Sequence, residues 1–374
     1  MNARILLKNL SMPLALAAIW IFFALKEPAF LAPRNLSQLM VDFSIIGTLA
    51  LGMFLILLTG QIDLSVGSGV GLIGGIAAVL TVQHGWPAAA GLGAAFLVAL
   101  LLWALMGTLI VKERMPSFII TLAGLLIFKG LFWRVIHSST VSVKGVEENL
   151  YSMISTYYLP AGMGVGLAVA VVVLMAVVQW RARAARITHG LSALSAQRAA
   201  LKFALMGAAV FGVVAGFNQS HGLPMTFLIL AVTAAAVYFL TQHTPFGRYL
   251  YAIGGNEEAA VLSGINVNRV LIGAYGLMGA ATAVTGFMQT SYQGSSSTTV
   301  GDLMELDAIA ACVIGGTALK GGRGTVWGVL FGALIMTSLL NGMNLMGVTP
   351  EMKYIARGTV LALAVWLDVR LGRT

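Results

Sequence analysis

The chain has 374 residues, of which 59% are hydrophobic and 9% charged. Soluble domains carry roughly a quarter charged residues, so a soluble fold is excluded and an all-α integral membrane protein is indicated. The formal charge of +9 does not point to nucleic acid, because the basic residues are dispersed among short loops instead of forming one basic face.

The opening run, "NARILLKNLSMPLALAAIWIFFAL", has a basic start but no small-x-small cleavage site, and it reads as the first membrane helix at 11–25. Further apolar runs follow at 42–60, 68–82, 88–111, 117–136, 159–180, 203–218, 224–240, 270–289, 305–319, 325–343 and 351–368. The runs at 68–82 and 305–319 are short and glycine-rich, which makes each a candidate broken or re-entrant helix. The expectation is a single transmembrane domain over 1–374, a bundle of about ten helices with one or two short broken ones. The 44 glycines and 18 methionines fit closely packed helices and identify no function. Cys312 stands alone in an apolar setting and reads as a packing residue, and the five histidines are scattered without metal-ligand spacing, so no metal site is expected.

Basic residues collect in cytoplasmic loops. With the N-terminus inside, Arg4, Lys8, Lys112, Arg114, the 181–202 region, Arg248, Arg269, Lys320, Arg323, Arg370 and Arg373 share one side, and only Lys26, Arg34, Lys144 and Lys353 fall clearly on the other. Both termini are therefore expected in the cytoplasm. The basic loop "RARAARITHGLSALSAQR" at 181–198 either holds topology against anionic lipid or meets a partner. The loop "HSSTVSVKGVEENLYSMISTYY" at 137–158, on the other side, is a connector or a receiving surface.

Polar residues inside apolar runs need partners. An unpaired carboxylate at mid-helix costs roughly 2.5 to 3.5 kcal/mol on insertion scales. Asp63 in "TGQIDLSVGS", with Ser65 and Ser68 after it, reads as a cap for the glycine-rich helix, as a contact on a translocation path, or both. Asp307 stands in a comparable position before "AIAACVIGG", so the two segments are candidates for a pseudo-repeat lining a central path. Lys129 and Arg357 likewise require partners or water, whereas Arg134 is placed to snorkel.

The stretch "YAIGGNEEAAVLSGINVNR" at 251–269 is a polar interruption between apolar runs. Asn256 is a good helix N-cap, Glu257 and Glu258 suit the positive end of the dipole, and Gly264 stands where glycine stops a helix. Ala259 and Ala260 offer a small face, and Gly254 and Gly255 are expected to let the chain bend on entry. A helix of about two turns is marginal alone in water, so something packs on it. An ordinary capped connector and a docking element both satisfy these features.

"GRYLYAIGGNEEAAVLSGINV" resembles the cytoplasmic coupling loop of bacterial ABC-transporter permeases of the ribose, xylose and arabinose class. The similarity extends to "TGQIDLSVGSGVGLIGG", "MPSFIITLAGLLIFKG" and "ELDAIAACVIGGTALKGGRGTVWGVLFGALIMTSLLNGMNLMGV", in order along nearly the whole chain. Within the class, the basic loop and the coupling-loop wording look most similar to the D-xylose branch.

The resemblance implies an inner-membrane permease that works as a pair, most simply a homodimer, embedded in membrane lipid. It also implies a cytoplasmic ABC ATPase that docks on a coupling loop at 241–268 and a periplasmic sugar-binding protein. ATP is then a cofactor of the partner ATPase, with no cofactor and no catalytic residue on this chain. Consistently, "GTALKGGRGT" at 316–325 lacks the Lys-[Ser/Thr] pair of a phosphate loop. On a sugar path the hydroxyl and amides of Thr121, Asn341 and Asn344 are further candidates. Ribose, arabinose, galactose or another small polar solute are the alternative cargoes. A secondary transporter would need its own ion-coupling site and has no evident use for a capped docking helix. A membrane enzyme would need a catalytic constellation, and no His-Glu-x-x-His or Gly-x-Ser-x-Gly pattern occurs.

Overall fold

The computed structural model describes residues 3–144, 149–190 and 195–371. Fifteen helices carry almost all of the regular structure among them. The first half contains α1 (Ala3–Lys26), α2 (Pro33–Leu58), α3 (Val66–Ala78), α4 (Ala88–Lys112), α5 (Ser117–Val135), α6 (Leu150–Thr156) and α7 (Ala161–Thr188). The second contains α8 (Ala196–Asn218), α9 (Met225–His243), α10 (Pro245–Gly255), α11 (Glu257–Leu262), α12 (Val267–Gln293), α13 (Met304–Ile314), α14 (Val326–Leu345) and α15 (Pro350–Leu371). Two antiparallel pairs of two-residue strands join distant loops: β1 (Val141–Ser142) with β4 (Ser295–Ser296), and β2 (Tyr158–Leu159) with β3 (Leu223–Pro224).

Nine helices among the described residues are long and apolar enough to cross a membrane, which makes this a multi-pass membrane bundle. They are α2, α3 with its continuation, α4, α5, α7, α8, α9, α12 and α14. α1 adds a shorter apolar stretch, Met12–Lys26. α15 carries Glu351, Lys353, Arg357, Asp368 and Arg370, with an uncharged apolar stretch at 358–367 between Arg357 and Asp368.

Helix boundaries depart from the hydropathy reading in three instructive places. α2 begins at Pro33 instead of 42, because Asn35 pairs with Asn341 inside the bundle and Gln38 donates to the Tyr292 hydroxyl on its exposed side, so neither ends the helix. The segment at 68–82 is not broken: α3 runs on through a π turn, Val79–Gln83, to full spanning length. The basic region at 181–198 is mostly helix, since α7 continues to Thr188 and α8 starts at Ala196, and residues 191–194 of that region lie outside the described residues.

α13, by contrast, has 11 residues and is a half-span. It follows a segment that turns back into the bundle from β4, where Gly301 (φ +85°) lies against the backbone of Gly67 and Gly71, and Leu303 adopts a left-handed φ of 63°. A left-handed leucine is strained and is held only by its surroundings. The proposed pseudo-repeat therefore fails in shape, as Asp63 precedes a full helix while Asp307 lies inside the first turn of a half one.

α2 is the axis of the bundle: 89% of its apolar window is buried, against 11% in α7 and in α8. It packs on α9, α12, α13 and α14, and α12 in turn packs on α3 and α4. Small residues permit this density. A Cβ on Gly286 would sit 2.7 Å from the Val70 carbonyl oxygen, and one on Gly74 would sit 2.8 Å from that of Gly286, so α3 and α12 touch backbone to backbone. The α7–α8 hairpin is peripheral and joins the bundle mainly where Leu159, Phe217 and Leu223 cluster.

The two ends of the bundle are built differently. At one end the α2–α3, α10–α11 and α13–α14 connections converge on Leu58, Gly60, Gly254 and Gly322. Met12 of α1 reaches Gly316 at this same end. The β1–β4 pair marks the opposite end.

Candidate functional site

The 251–269 stretch folds as its local chemistry directs. The Asn256 side chain accepts a hydrogen bond from the Ala259 backbone N–H at 2.9 Å, capping α11. At the other end Gly264, at φ +81°, donates its N–H to the Val261 carbonyl at 2.9 Å, while the Ile265 N–H reaches the Ala260 carbonyl at 3.1 Å. That pair of bonds is a Schellman stop. Thr244 caps α10 and Asn266 caps α12, so every helix entering or leaving the loop has its own start signal.

Ala260 alone of α11 is buried, seated against the body. Glu257, Glu258 and Ala259 face outward, and Leu262 is 89% exposed. An apolar residue this bare beside two carboxylates leaves one face of α11 uncovered by the rest of the described chain. Next to it lies a cavity of about 720 Å³, bounded by Gln61, the α4–α5 turn at Lys112 and Arg114, and α11 at Glu257 and Val261.

The two glycines before α11 do not bend the chain. Both belong to the last turn of α10, and the turn into α11 is made by Asn256 in an extended conformation, φ −162°. Gly254 instead permits contact: a Cβ there would fall on the Leu58 carbonyl oxygen and within 2.5 Å of the Gly322 nitrogen. A Cβ on Gly255 would meet nothing within 4 Å, although one on Gly322 would lie 2.8 Å from the Gly255 Cα. The Gly322 N–H donates to the Leu58 carbonyl at 2.9 Å, and the Tyr251 hydroxyl donates to the Gly324 carbonyl at 3.0 Å. Any displacement of α10 and α11 thus bears directly on the end of α2 and on the α13–α14 turn.

Asp63 lies close to this end and is fully buried. Its carboxylate accepts from the Ser65 N–H at 2.8 Å and the Ser65 hydroxyl at 2.6 Å on one oxygen, and from the Trp103 indole N–H at 2.7 Å on the other. Burial pushes the carboxyl above its usual range, and these hydrogen bonds from Ser65 and Trp103 oppose that. Ser65, not Asp63, is the N-cap position of α3, and its side chain makes no capping bond. Asp63 therefore braces the turn that leads into α3 and ties it to α4. Ser68 donates to the Ser65 carbonyl at 3.0 Å, and Thr121 donates to the carbonyls of Ser117 at 2.9 Å and Ile62 at 3.2 Å. These side chains form one structural cluster where α3, α4 and α5 meet.

Asp307, Asn341 and Asn344 belong to another place. With Asp42 of α2, Gln289 of α12 and Arg357 of α15 they line a cavity of about 270 Å³. Asp42 precedes the end of α2 by ~16 residues, which at about 1.5 Å per residue sets it ~24 Å from the α11 end. The cavity is thus in the opposite half of the bundle. Arg357 forms an ion pair with Asp307 at 3.2 Å, and Lys129 pairs with Asp302 and donates to the Thr298 carbonyl at 2.9 Å. The two intramembrane cations that required partners have them. Asn341 is committed to a reciprocal amide pair with Asn35, at 2.9 and 3.0 Å, and so is not free for a solute, whereas Asn344 is exposed.

Asp42, Gln289, Gln293 and Asp302 were not singled out from the sequence, although the first three are polar residues at the ends of apolar runs and that position is the available signal. Trp103 was missed because an indole in an apolar run reads as packing. No metal-holding group of His, Cys, Asp or Glu occurs among the described residues.

A sequence model of the family described as branched-chain amino acid transport system, permease component, matches residues 35–204 and 159–365, which together cover most of the chain. The chain belongs to this permease family. It is 41% identical over 357 residues to the xylose transport system permease protein of Escherichia coli strain K12, covering 95% of this chain and 90% of that protein. It is also 41% identical over 362 residues to the Haemophilus influenzae protein of the same description, covering 96% and 95%. The ribose import permease protein of Escherichia coli strain K12 is 32% identical over 342 residues, covering 91% and 88%. No solved structure matches. The chain is accordingly a transport subunit of a multi-pass membrane system, and its uncovered polar helix and polar intramembrane cavity are features to be read in that light.

Proposed function

We propose that this chain is the transmembrane subunit of an ATP-driven importer of a monosaccharide, D-xylose, in the bacterial inner membrane. The α11 helix carries the reading: it is rigidly capped at both ends, seated through Ala260 alone, and exposes Glu257, Glu258 and Leu262 to a partner. The partner is a cytoplasmic ATPase, so the α11 end and both termini face the cytoplasm. ATP is bound and hydrolysed on that partner. The chain as a whole, 1–374, is one permease domain whose coupling loop is 241–268. The choice of xylose rests on the two relatives described as xylose permeases.

In this reading, ATPase closure moves α11, and the backbone contact at Gly254 passes the movement to α2 and to the α13–α14 turn. These elements also wall the polar cavity, through Asp42 of α2, Asp307 of α13 and Asn344 of α14. A cavity lined by carboxylates, amides and a guanidinium, and placed away from α11, suits a hydroxyl-rich solute entering from the periplasm, where a sugar-binding protein delivers it. A second copy of the chain completes the pathway.

Reconstitution of the chain in liposomes with its candidate ATPase and binding protein tests this. ATP-dependent uptake of labelled xylose above ribose, arabinose and galactose is expected. Uptake of another sugar would correct the cargo, and ATP-independent uptake by the chain alone would overturn the importer assignment. A Thr188→Cys variant on a Cys312→Ser background is expected to label only from the cytoplasmic side, and labelling from outside would invert the topology.

A further inference from the structure

α7 and α8 form the least buried part of the bundle, and their contacts with it lie at one end. The buried residues of α7 are Gly164 and Ala168, near its start, and those of α8 are Gly207, Val214 and Phe217, toward its finish. Where α7 ends and α8 begins, the hairpin stands away from the body. A cleft of about 330 Å³ lies between the two helices there. Its lining is apolar at Ala176, Ala199, Ala200 and Phe203 and cationic at Arg183, Arg186 and Lys202.

The charge here is one-sided. Arg181, Arg183, Arg186, Arg198 and Lys202 fall within 22 residues, and no aspartate or glutamate occurs anywhere between Glu148 and Glu257. None of the five cations takes part in either ion pair found among the described residues. Their depth is fixed by the helix itself. The apolar part of α7 runs from Ala161 to Val178, ~27 Å at about 1.5 Å per residue, which matches the hydrocarbon thickness of a bilayer. Trp180, which lines the cleft, then sits at the headgroup level where tryptophan is enriched.

We infer that the α7–α8 cleft is a binding site for an anionic phospholipid, with the phosphate held by Arg183, Arg186 and Lys202 and an acyl chain on the alanine lining. A second copy of this chain is disfavoured as the occupant, because it would bring the same five cations against these. A soluble anion would satisfy the cations but leave Ala176 and Phe203 uncovered. The lipid fills the cleft between α7 and α8, in the part of the hairpin that the body leaves uncovered. The inference needs only that the chain is embedded in a membrane, and it stands apart from the cargo and the ATPase.

The test is native mass spectrometry of the purified full-length chain, titrated with phosphatidylglycerol or phosphatidylcholine of identical acyl chains. A preference of about tenfold or more for phosphatidylglycerol is expected, the order that two or three juxtamembrane cations supply. The variant Arg183→Gln/Arg186→Gln/Lys202→Gln should bind both lipids equally, whereas Arg183→Lys/Arg186→Lys, and the control Arg248→Gln/Arg269→Gln on the same side of the membrane, should keep the preference. Elution as a single species and an unchanged melting temperature report that the glutamine variant is folded. Equal binding of the two lipids by the wild-type chain would overturn the inference. So would a preference that survives the triple substitution, one lost equally in the control, or displacement of the lipid by millimolar inorganic phosphate.

Discussion

The two ends of this bundle bury their polar groups in opposite ways. Near α11 the chain uses backbone: Gly254, Gly322 and Leu58 meet without intervening side chains, and Asp63 is enclosed by donors from Ser65 and Trp103. In the other half it uses paired charges around space, Arg357 with Asp307 and Lys129 with Asp302, beside a polar cavity. A carboxylate saturated by neutral donors locks a turn. A carboxylate held by a single ion pair at the wall of a cavity is held by an interaction that a polar solute or a helix movement can exchange. The sealed end is suited to transmit force, and the cavity end to receive a solute.

Substitutions can break this comparison, and the largest effect is expected in the cavity half. Arg357→Gln leaves Asp307, 2% exposed, without its cation, and should cost about 3 to 5 kcal/mol of stability. Lys129→Gln should cost no more than about 1 kcal/mol, because its partner Asp302 is 44% exposed. Thermal melts in detergent compare the two. Equal losses would show that burial does not distinguish the pairs, and adding Asp307→Asn to Arg357→Gln should restore part of the loss.

At the sealed end, Asp63→Ala strands the Trp103 indole and the Ser65 N–H, each costing about 1 to 3 kcal/mol. Asp63→Asn keeps one acceptor for Ser65 and should fall between Ala and wild type. Wild-type melting of the alanine variant would mean that the carboxylate braces nothing.

Next come the paired glycines. Gly254→Ala forces overpacking against Leu58 and Gly322 at about 1 to 3 kcal/mol, while Gly255→Ala, with nothing within 4 Å, should be close to neutral. If both variants melt alike, the backbone contact is not what joins α10 to α2. The smallest changes in stability are predicted on α11 itself. Gly264→Ala, at φ +81°, should cost about 1 kcal/mol, and Leu262→Ser, at an 89% exposed position, almost nothing. Both should nevertheless lower sugar uptake per ATP hydrolysed in the reconstituted system. Unchanged stoichiometry in both variants would remove α11 from the coupling path.

Much of this arrangement was legible in the sequence wherever the deciding chemistry is local. Asn256, Glu257 and Gly264 define α11 within nine residues, because capping groups lie within hydrogen-bond reach along the chain. The apolar runs located the helices, since span length is set by the bilayer. The same method shortened α2 and α8 at their polar ends, where Asn35 looked like a loop residue until Asn341 gave it a partner. It also grouped Asp63 with Asp307 as equivalent positions, when one faces Trp103 and the other Arg357. Thr121 and Asn341 drew attention as polar residues in apolar runs, yet both are spent on structural hydrogen bonds.

By itself, then, the sequence determined that this is a membrane bundle, where its helices lie, that a rigid polar helix interrupts them, and that Lys129 and Arg357 had to be neutralised. Each of those follows from transfer free energy or from bonds between neighbours in the chain. Only the tertiary structure decided which carboxylate answers which cation, that Gly254 serves contact and not bending, and that the cavity lies away from α11. Those facts depend on pairs such as Asn35 with Asn341 or Lys129 with Asp302, separated by 306 and 173 positions. A membrane makes a partner obligatory but does not name it, and the packing of helices around α2 makes that choice.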